Sequence, residues 1–397
     1  MATRVDPSLL NEIKQYGAIN IEKCFNCGNC TATCSLTSEN DGFPRRIIRL
    51  AQLGLRDRLL GSKEIWLCYN CGDCSETCPQ QAEPANFMAA TRCYAVTNYD
   101  PLGIGKLFCR TPLIGSLIVV LMVVFFGAFM YTQREMMSSE SLKLFNFIPY
   151  ELIHNVGLAV MVLIGLASLV TILNMIYKIA RANNLSTRNF VNGSRMNWLA
   201  AFWDAVFVQS LGQKRYREEC EAPDNIQVWY LSKWFVHAAT MWGFLGLLLA
   251  TILNYALDII GLKPTGTEVP IWYPVRLLGT LAGLLFVYGV TVLLIRRWRA
   301  ADKAHSYSRP SDWIFLTLLW LSGMTGFIIE IALYLPAAPS WGYWMFLFHV
   351  SVSMVLLLLL PFTKFAHAIY RIVALYVHAL KPVAELDAGQ VEPAGAD

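Results

Sequence analysis

Residues 24–34 read CFNCGNCTATC and residues 68–79 read CYNCGDCSETCP. Both rows have the form C-x2-C-x2-C-x3-C, and Pro79 follows the second at once. A cubane iron–sulfur cluster needs four thiolates around a small volume, and two-residue gaps let one tight loop wrap three of its corners. In two-cluster ferredoxins the fourth cysteine of such a row reaches across to the other cluster. Crossing of that kind puts Cys24, Cys27, Cys30 and Cys78 on one [4Fe–4S] cluster and Cys68, Cys71, Cys74 and Cys34 on the other. Gly28 and Gly72, each directly after the second cysteine of its row, let backbone amides approach the sulfurs. Zinc ribbons also use four cysteines, but as two separated pairs rather than one compressed run. Disulfides are a third option; no signal peptide is read at the start, so the expectation is a compartment that keeps thiols reduced. Cys93, Cys109 and Cys220 have no ligand spacing and read as small buried residues. No cysteine pair runs on to histidine in the way that attaches a c-type haem.

The chain has 397 residues, 55% of them hydrophobic and only 15% charged. That is too apolar for a soluble protein and calls for several membrane-spanning helices. The first 105 residues are polar and mixed, and the composition changes abruptly at Thr111-Pro112. A net charge of +4 is too small to point to nucleic acid. Six apolar stretches are long enough to cross a hydrocarbon core of about 30 Å. They are Leu113–Tyr131, Tyr150–Tyr177, Lys233–Leu257, Trp272–Arg296, Trp313–Leu335 and Trp341–Tyr370, the last carrying Pro361 as an expected kink. The loop from Lys178 to Lys233 holds eight Lys and Arg, and that from Arg296 to Asp312 holds five. The opposite loops hold Arg134, Lys143 and Lys263. The positive-inside rule then places both termini, and the cysteine rows with them, in the cytoplasm. Between the second and third spans, Asn197–Gly212 has apolar residues at helical spacing. It reads either as a helix lying in the membrane interface or as one packed on the soluble domain.

Four of the six histidines fall in the spans: His154, His237, His349 and His367. Metal-ligating side chains inside a membrane are costly and usually functional. His349 and His367 are 18 residues apart, which on an unbroken helix is five whole turns and about 27 Å of rise. They would then face one way, one near each side of the bilayer, unless Pro361 bends the helix. By topology His154 matches His349 in depth on the periplasmic side, and His237 matches His367 on the cytoplasmic side. Each pair could hold a b-type haem through two imidazoles. His305 and His378 read as solvated. The fold expected is all-α. Residues 1–105 form a soluble ferredoxin-like domain with two [4Fe–4S] clusters, residues 106–380 a six-helix transmembrane dihaem cytochrome b bundle, and residues 381–397 a flexible tail.

The N-terminal rows resemble the iron–sulfur C subunit of heterodisulfide reductase. The membrane half, with its 18-residue histidine pair, resembles the cytochrome b (gamma) subunit of respiratory nitrate reductase and the heterodisulfide reductase E subunit. Their fusion in one chain is similar to the C-subunit family of quinone-interacting membrane-bound oxidoreductase complexes of sulfate reducers. What that resemblance implies is electron exchange between haem and menaquinone. It also implies flavin- and iron–sulfur-containing A and B subunits as cytoplasmic partners, with adenylylsulfate reductase beyond them.

A quinone site needs a proton-handling group near a haem. Glu330, an intramembrane carboxylate toward the periplasmic end of the fifth span, is the first candidate. Asp258 lies at similar depth, Lys233 and Lys364 lie on the cytoplasmic side, and Arg276 could pair with a haem propionate. Each could equally be an interfacial charge that snorkels to water. Two other functional readings stand beside this one. The membrane subunit of another heterodisulfide-reductase-like complex would have a different soluble partner, and a membrane-anchored iron–sulfur redox sensor would need no haem.

Overall fold

The computed structural model describes residues 4–37, 42–138, 140–183, 198–219, 228–262, 269–301, 307–335 and 339–380. His305, Cys220 and the tail from 381 to 397 lie outside them. The chain is all-α, with no strand among the described residues. In the N-terminal domain the amphipathic helix α1 (Arg45–Gln52) turns Ile47, Ile48, Leu50 and Ala51 inward. Helix α2 (Pro84–Tyr99) starts on a proline at its first turn, where a missing N–H costs nothing. It is buried along nearly its whole length, with Phe87, Met88, Tyr94 and Tyr99 at its core face.

Among the described residues, six helices are long and apolar enough to cross a membrane: α3 (Pro112–Thr132), α4 (Tyr150–Ala182), α5 (Lys233–Ile259), α6 (Pro274–Trp298), α7 (Pro310–Leu333) and α8 (Ser340–Leu358). Helices α5, α6, α7, α8 and α4 pack in that order. The ring closes where His154 of α4 stacks on Tyr255 of α5, and α3 lies outside against α7 and α8. In lipid, where solvent gives little drive to helix association, close backbone approach through small residues does the work. Gly243 shows it: a Cβ there would overlap the Phe286 backbone and lie 2.7 Å from the Ala282 carbonyl. Gly289 on α6 meets Thr240 of α5 in the same way.

The sixth span departs from the sequence expectation. It does not run to Tyr370 but ends at Leu358. Two 3-10 turns follow, Leu360–Phe362 and Lys364–Ala366, and a new helix, α9, covers His367–Ala379. Pro361 removes an N–H, and Thr363 is fully extended (φ −116°, ψ −172°) with its hydroxyl accepting from the Phe365 amide. His349 and His367 therefore stand on different helices, and the five-turn phase argument does not apply. His378 also sits in α9, half-buried, rather than in a solvated tail.

The N-terminal domain docks on one end of the bundle, and its core continues without a break into Met175 and Ile179 of α4 and into Tyr370, Ala374 and Leu375 of α9. Trp66 and Tyr99 close on the Tyr370 ring at 4.9 and 5.5 Å. Asn174 of α4 donates to the Tyr99 carbonyl at 2.9 Å, and Asn183 donates to the Gly61 carbonyl at 3.2 Å. From Trp198 on, the segment read in the sequence as 197–212 forms a short helix, Trp198–Trp203, running into a π-helical stretch, Asp204–Leu211, packed on α9. Ala201 and Ala205 are buried there, while Trp198, Phe202 and Trp203 remain exposed. The segment is thus packed on one edge and apolar on the other. Cys93 and Cys109, expected as separate buried residues, are joined in a disulfide. The bond ties α2 to the short helix Ile104–Cys109 that leads into α3. Sixteen residues of separation hid a pairing that only tertiary folding creates.

Substituting Gly243→Ala is expected to destabilise the α5–α6 pair by about 1–3 kcal/mol through overpacking. Gly165→Ala, where nothing lies within 4 Å, should be neutral or slightly stabilising. Thermal melting of the two variants in detergent measures the difference.

Candidate metal centres

Both cysteine rows fold as the same local motif. Asn26 and Asn70 take left-handed backbone (φ 61° and 59°), and so do Gly28 and Gly72 (φ 97° and 103°). That region costs glycine nothing and asparagine little. A one-turn helix follows each glycine, Asn29–Ala32 and Asp73–Glu76. The rows meet where the Thr33 and Thr77 hydroxyls approach to 3.4 Å.

Two cavities result. One, with about 330 Å³ of empty space partly open to solvent, is lined by Cys24, Cys27, Cys30 and Cys78, with Phe25, Arg45 and Pro79 in its wall. The other, about 530 Å³ and also partly open, is lined by Cys34, Cys68, Cys71 and Cys74, with Phe43, Tyr69 and Met88. The fourth cysteine of each row stands in the cavity of the other row. Among the described residues, no three His, Cys, Asp or Glu are grouped as a single metal ion requires. Four sulfurs spread around a cavity are the donor set a cube takes. Backbone amides of Asn70 and Ala82 point at the Cys68 and Cys78 sulfurs from 3.4 Å. Burial pushes the Cys30 thiol up to about 11 and Cys34 up to about 12, and Cys74 moves the same way. Ligation therefore has to displace protons.

The four membrane histidines divide. His237, in the first turns of α5, and His367, the first residue of α9, lie on the cluster-domain side within electrostatic range of each other. Both rings keep exposed surface. Nδ1 of His367 donates to the Lys364 carbonyl at 2.7 Å, and Nδ1 of His237 lies 3.1 Å from Gln213 Oε1. A carbonyl oxygen only accepts, so the proton is on Nδ1 and the Nε2 lone pair is available. Metal-binding histidines are oriented in this way. Neither Nε2 has a hydrogen-bond partner among the described residues. Each ring thus leaves open the nitrogen that a haem iron would take.

On the far side, Nδ1 of His349 meets the Thr325 hydroxyl at 2.8 Å. Gly326 gives the ring room: a Cβ there would come within 3.4 Å of it. His154 has no such hydrogen bond. Its ring lies flat on Tyr255, centroids 4.1 Å apart at 20°, with Tyr150 at 6.1 Å. One histidine thus leans on α7 and the other on α5.

The candidate proton-handling groups are mostly paired. Glu330 accepts from the Thr280 hydroxyl at 2.8 Å and faces Arg276 at 3.6 Å. Arg276 also donates to the Val269 carbonyl and lies over the Tyr334 ring, so its contacts are to protein. Lys364 pairs with Asp312, which also takes Arg297 at 2.9 Å and the Arg309 amide at 3.0 Å. Asp258 Oδ1 is buried without a hydrogen-bond partner, and Lys233 opens α5. Sequence reasoning missed Asp312; its place three residues after Arg309, at a proline-started helix, is an N-terminal capping signal.

Comparison with known proteins divides the chain as the structure does. Residues 20–82 match the 4Fe-4S dicluster domain family, and residues 112–387 match the family described as Citrate utilization protein B. Citrate utilization protein B of Escherichia coli is 31% identical over 150 residues, covering 36% of this chain and 37% of that protein. The C subunit of H(2):CoB-CoM heterodisulfide,ferredoxin reductase from Methanothermobacter thermautotrophicus is 33% identical over 63 residues, 16% of this chain and 34% of that one. The iron-sulfur C subunit of CoB–CoM heterodisulfide reductase from Methanopyrus kandleri is 34% identical over 71 residues, with 16% and 37% covered. The chain thus spans little more than a third of the length of these curated relatives. No solved structure matches it.

Cys78→Ser and Cys24→Ser are expected to abolish the same cluster signal and to leave about four of about eight non-haem irons per chain. Cys34→Ser should abolish the other signal. Iron analysis with low-temperature EPR of the reduced protein checks this, and a Cys78 variant that loses the same signal as Cys68→Ser would contradict the crossed ligand sets.

Proposed function

The chain belongs to the citrate utilization protein B family, and we propose on that premise that it is the membrane electron-transfer subunit of a quinone oxidoreductase. Its iron–sulfur domain and its likeness to heterodisulfide reductase C subunits support an oxidoreductase-type electron carrier within a larger complex. The finer reading is a path from the quinone pool through two b haems and two [4Fe–4S] clusters to a soluble flavoprotein. One observation carries it: the domain that holds the cysteine cavities packs on the end of the bundle that carries His237 and His367.

Cys24, Cys27, Cys30 and Cys78 would hold one cluster and Cys34, Cys68, Cys71 and Cys74 the other. His237 and His367 would hold the inner haem, and His349 with His154 the outer one. When bound, these groups supply one-electron chemistry, and the protein's part is position and potential. The Lys and Arg asymmetry supports a cytoplasmic-membrane location with the cluster domain and both termini in the cytoplasm. Glu330, held between Thr280 and Arg276, would exchange the proton at the outer quinone site. The quinone assigned is menaquinone.

Two soluble partners are supported by different parts of the chain. The cysteine rows favour flavin- and iron–sulfur-containing A and B subunits of a heterodisulfide-reductase-like complex, serving adenylylsulfate reductase. The family match over the membrane half favours instead a partner that acts in citrate use, as the name of the E. coli relative has it. Identification by mass of proteins that co-purify from the native membrane decides between them.

The purified chain should show b-type alpha bands that a menaquinol analogue reduces promptly; absent bands would leave the redox-sensor reading. His237→Leu is expected to halve extractable protohaem while the non-haem iron content stays unchanged.

A further inference from the structure

The two cysteine cavities are not equivalent with respect to the membrane. Tyr69, the residue after Cys68, places its ring 5.3 Å from that of Tyr216, at 31°. Tyr216 in turn lies 5.7 Å from the ring of His237. A second link is polar. Arg371 Nη1 donates to the carbonyls of Trp66, Leu67 and Cys68 at 3.2, 3.2 and 3.3 Å. Its guanidinium also caps the Tyr69 ring at 4.2 Å. Arg371 is one turn along α9 from His367, and both His237 and His367 feel its charge. Arg92 adds a second guanidinium on the Cys68 carbonyl, at 2.6 Å. Among the described residues the other cavity has no such ties to the membrane helices: Cys27 is exposed, and Phe25 beside it is 60% exposed.

We propose that the Cys34, Cys68, Cys71 and Cys74 centre is the membrane-side member of the pair, and that Tyr69, Tyr216 and Arg371 form its bridge to the His237–His367 site. The Cys24, Cys27, Cys30 and Cys78 centre is then the outer member. The proposal rests on the function read above. The step is one electron moving between a haem iron and a cluster: Fe(II) becomes Fe(III) as the cluster is reduced by one unit, or the reverse, with no bond made or broken. The two tyrosine rings run from the Cys68 loop to His237, and the Arg371 guanidinium would place a positive charge between the bound centres. A nearby cation stabilises the reduced, more negative form of each centre.

The full chain is purified in detergent as wild type and as Arg371→Leu, Arg371→Lys, Tyr69→Leu and Tyr216→Leu. Cluster signals are assigned by the loss each cysteine variant causes. In a potentiometric EPR titration, Arg371→Leu should shift the centre that Cys34→Ser abolishes to lower potential and leave the other unmoved, with Arg371→Lys restoring the wild-type value. Pre-reduced protein reconstituted into liposomes with the cluster domain outside, then mixed with ferricyanide, which does not enter lipid, should re-oxidise its haem about tenfold more slowly in Tyr69→Leu and Tyr216→Leu, with iron and haem contents unchanged. A shift confined to the other cluster, no shift in either, or haem re-oxidation at the wild-type rate in both tyrosine variants overturns the proposal and leaves the function standing. A wild-type chain with clusters but no haem overturns the function itself.

Discussion

Everything in this molecule depends on how the N-terminal domain seats against the bundle. Its core does not stop at the last soluble helix but runs into Met175 and Ile179 of α4 and Tyr370 and Leu375 of α9. Such a continuous apolar contact is far more rigid than a linker. Two asparagine amides, from Asn174 and Asn183, satisfy backbone carbonyls that the seam would otherwise leave bare. The glycines along it are positional. Gly61 has Ala182 where a side chain would be, and Gly17, with φ 85°, admits the Arg309 guanidinium.

Charge is handled at the same seam. Asp312 gathers Lys364, Arg297 and the Arg309 amide around one carboxylate. Burying one of these groups alone would cost several kcal/mol, whereas the set is largely compensated. The cluster fixes the end of α6, the start of α7 and the break before α9 relative to one another. Its lysine is also the residue whose carbonyl orients the His367 imidazole, so that imidazole hangs from the same anchored turn.

What the sequence revealed follows from the range of the forces involved. The cysteine rows were legible because a loop around a cube is a local matter of two- and three-residue gaps. The six spans were legible because lipid demands continuous apolar runs. The sixth was overextended because apolarity persists through Pro361 to Tyr370 while the helix does not. Depth matching puts His237 and His367 at the same end of the bundle, whereas His154 lies against Tyr255, and no periodicity encodes that neighbour. The Cys93–Cys109 link, the Asp312 cluster and the Tyr69–Tyr216 contact are all tertiary. Of these, only Asp312 had a local signature.

The interruption after Leu358 has a further consequence. Each residue inserted into or removed from α8 would swing His349 by about 100° around the helix axis. His367 would not follow, because its place is set by the extended Thr363 and by Lys364 pinned to Asp312. Mechanically the two histidines are uncoupled, so the lipid-facing half of this protein can drift in register or be re-engineered without disturbing the half that meets the iron–sulfur domain.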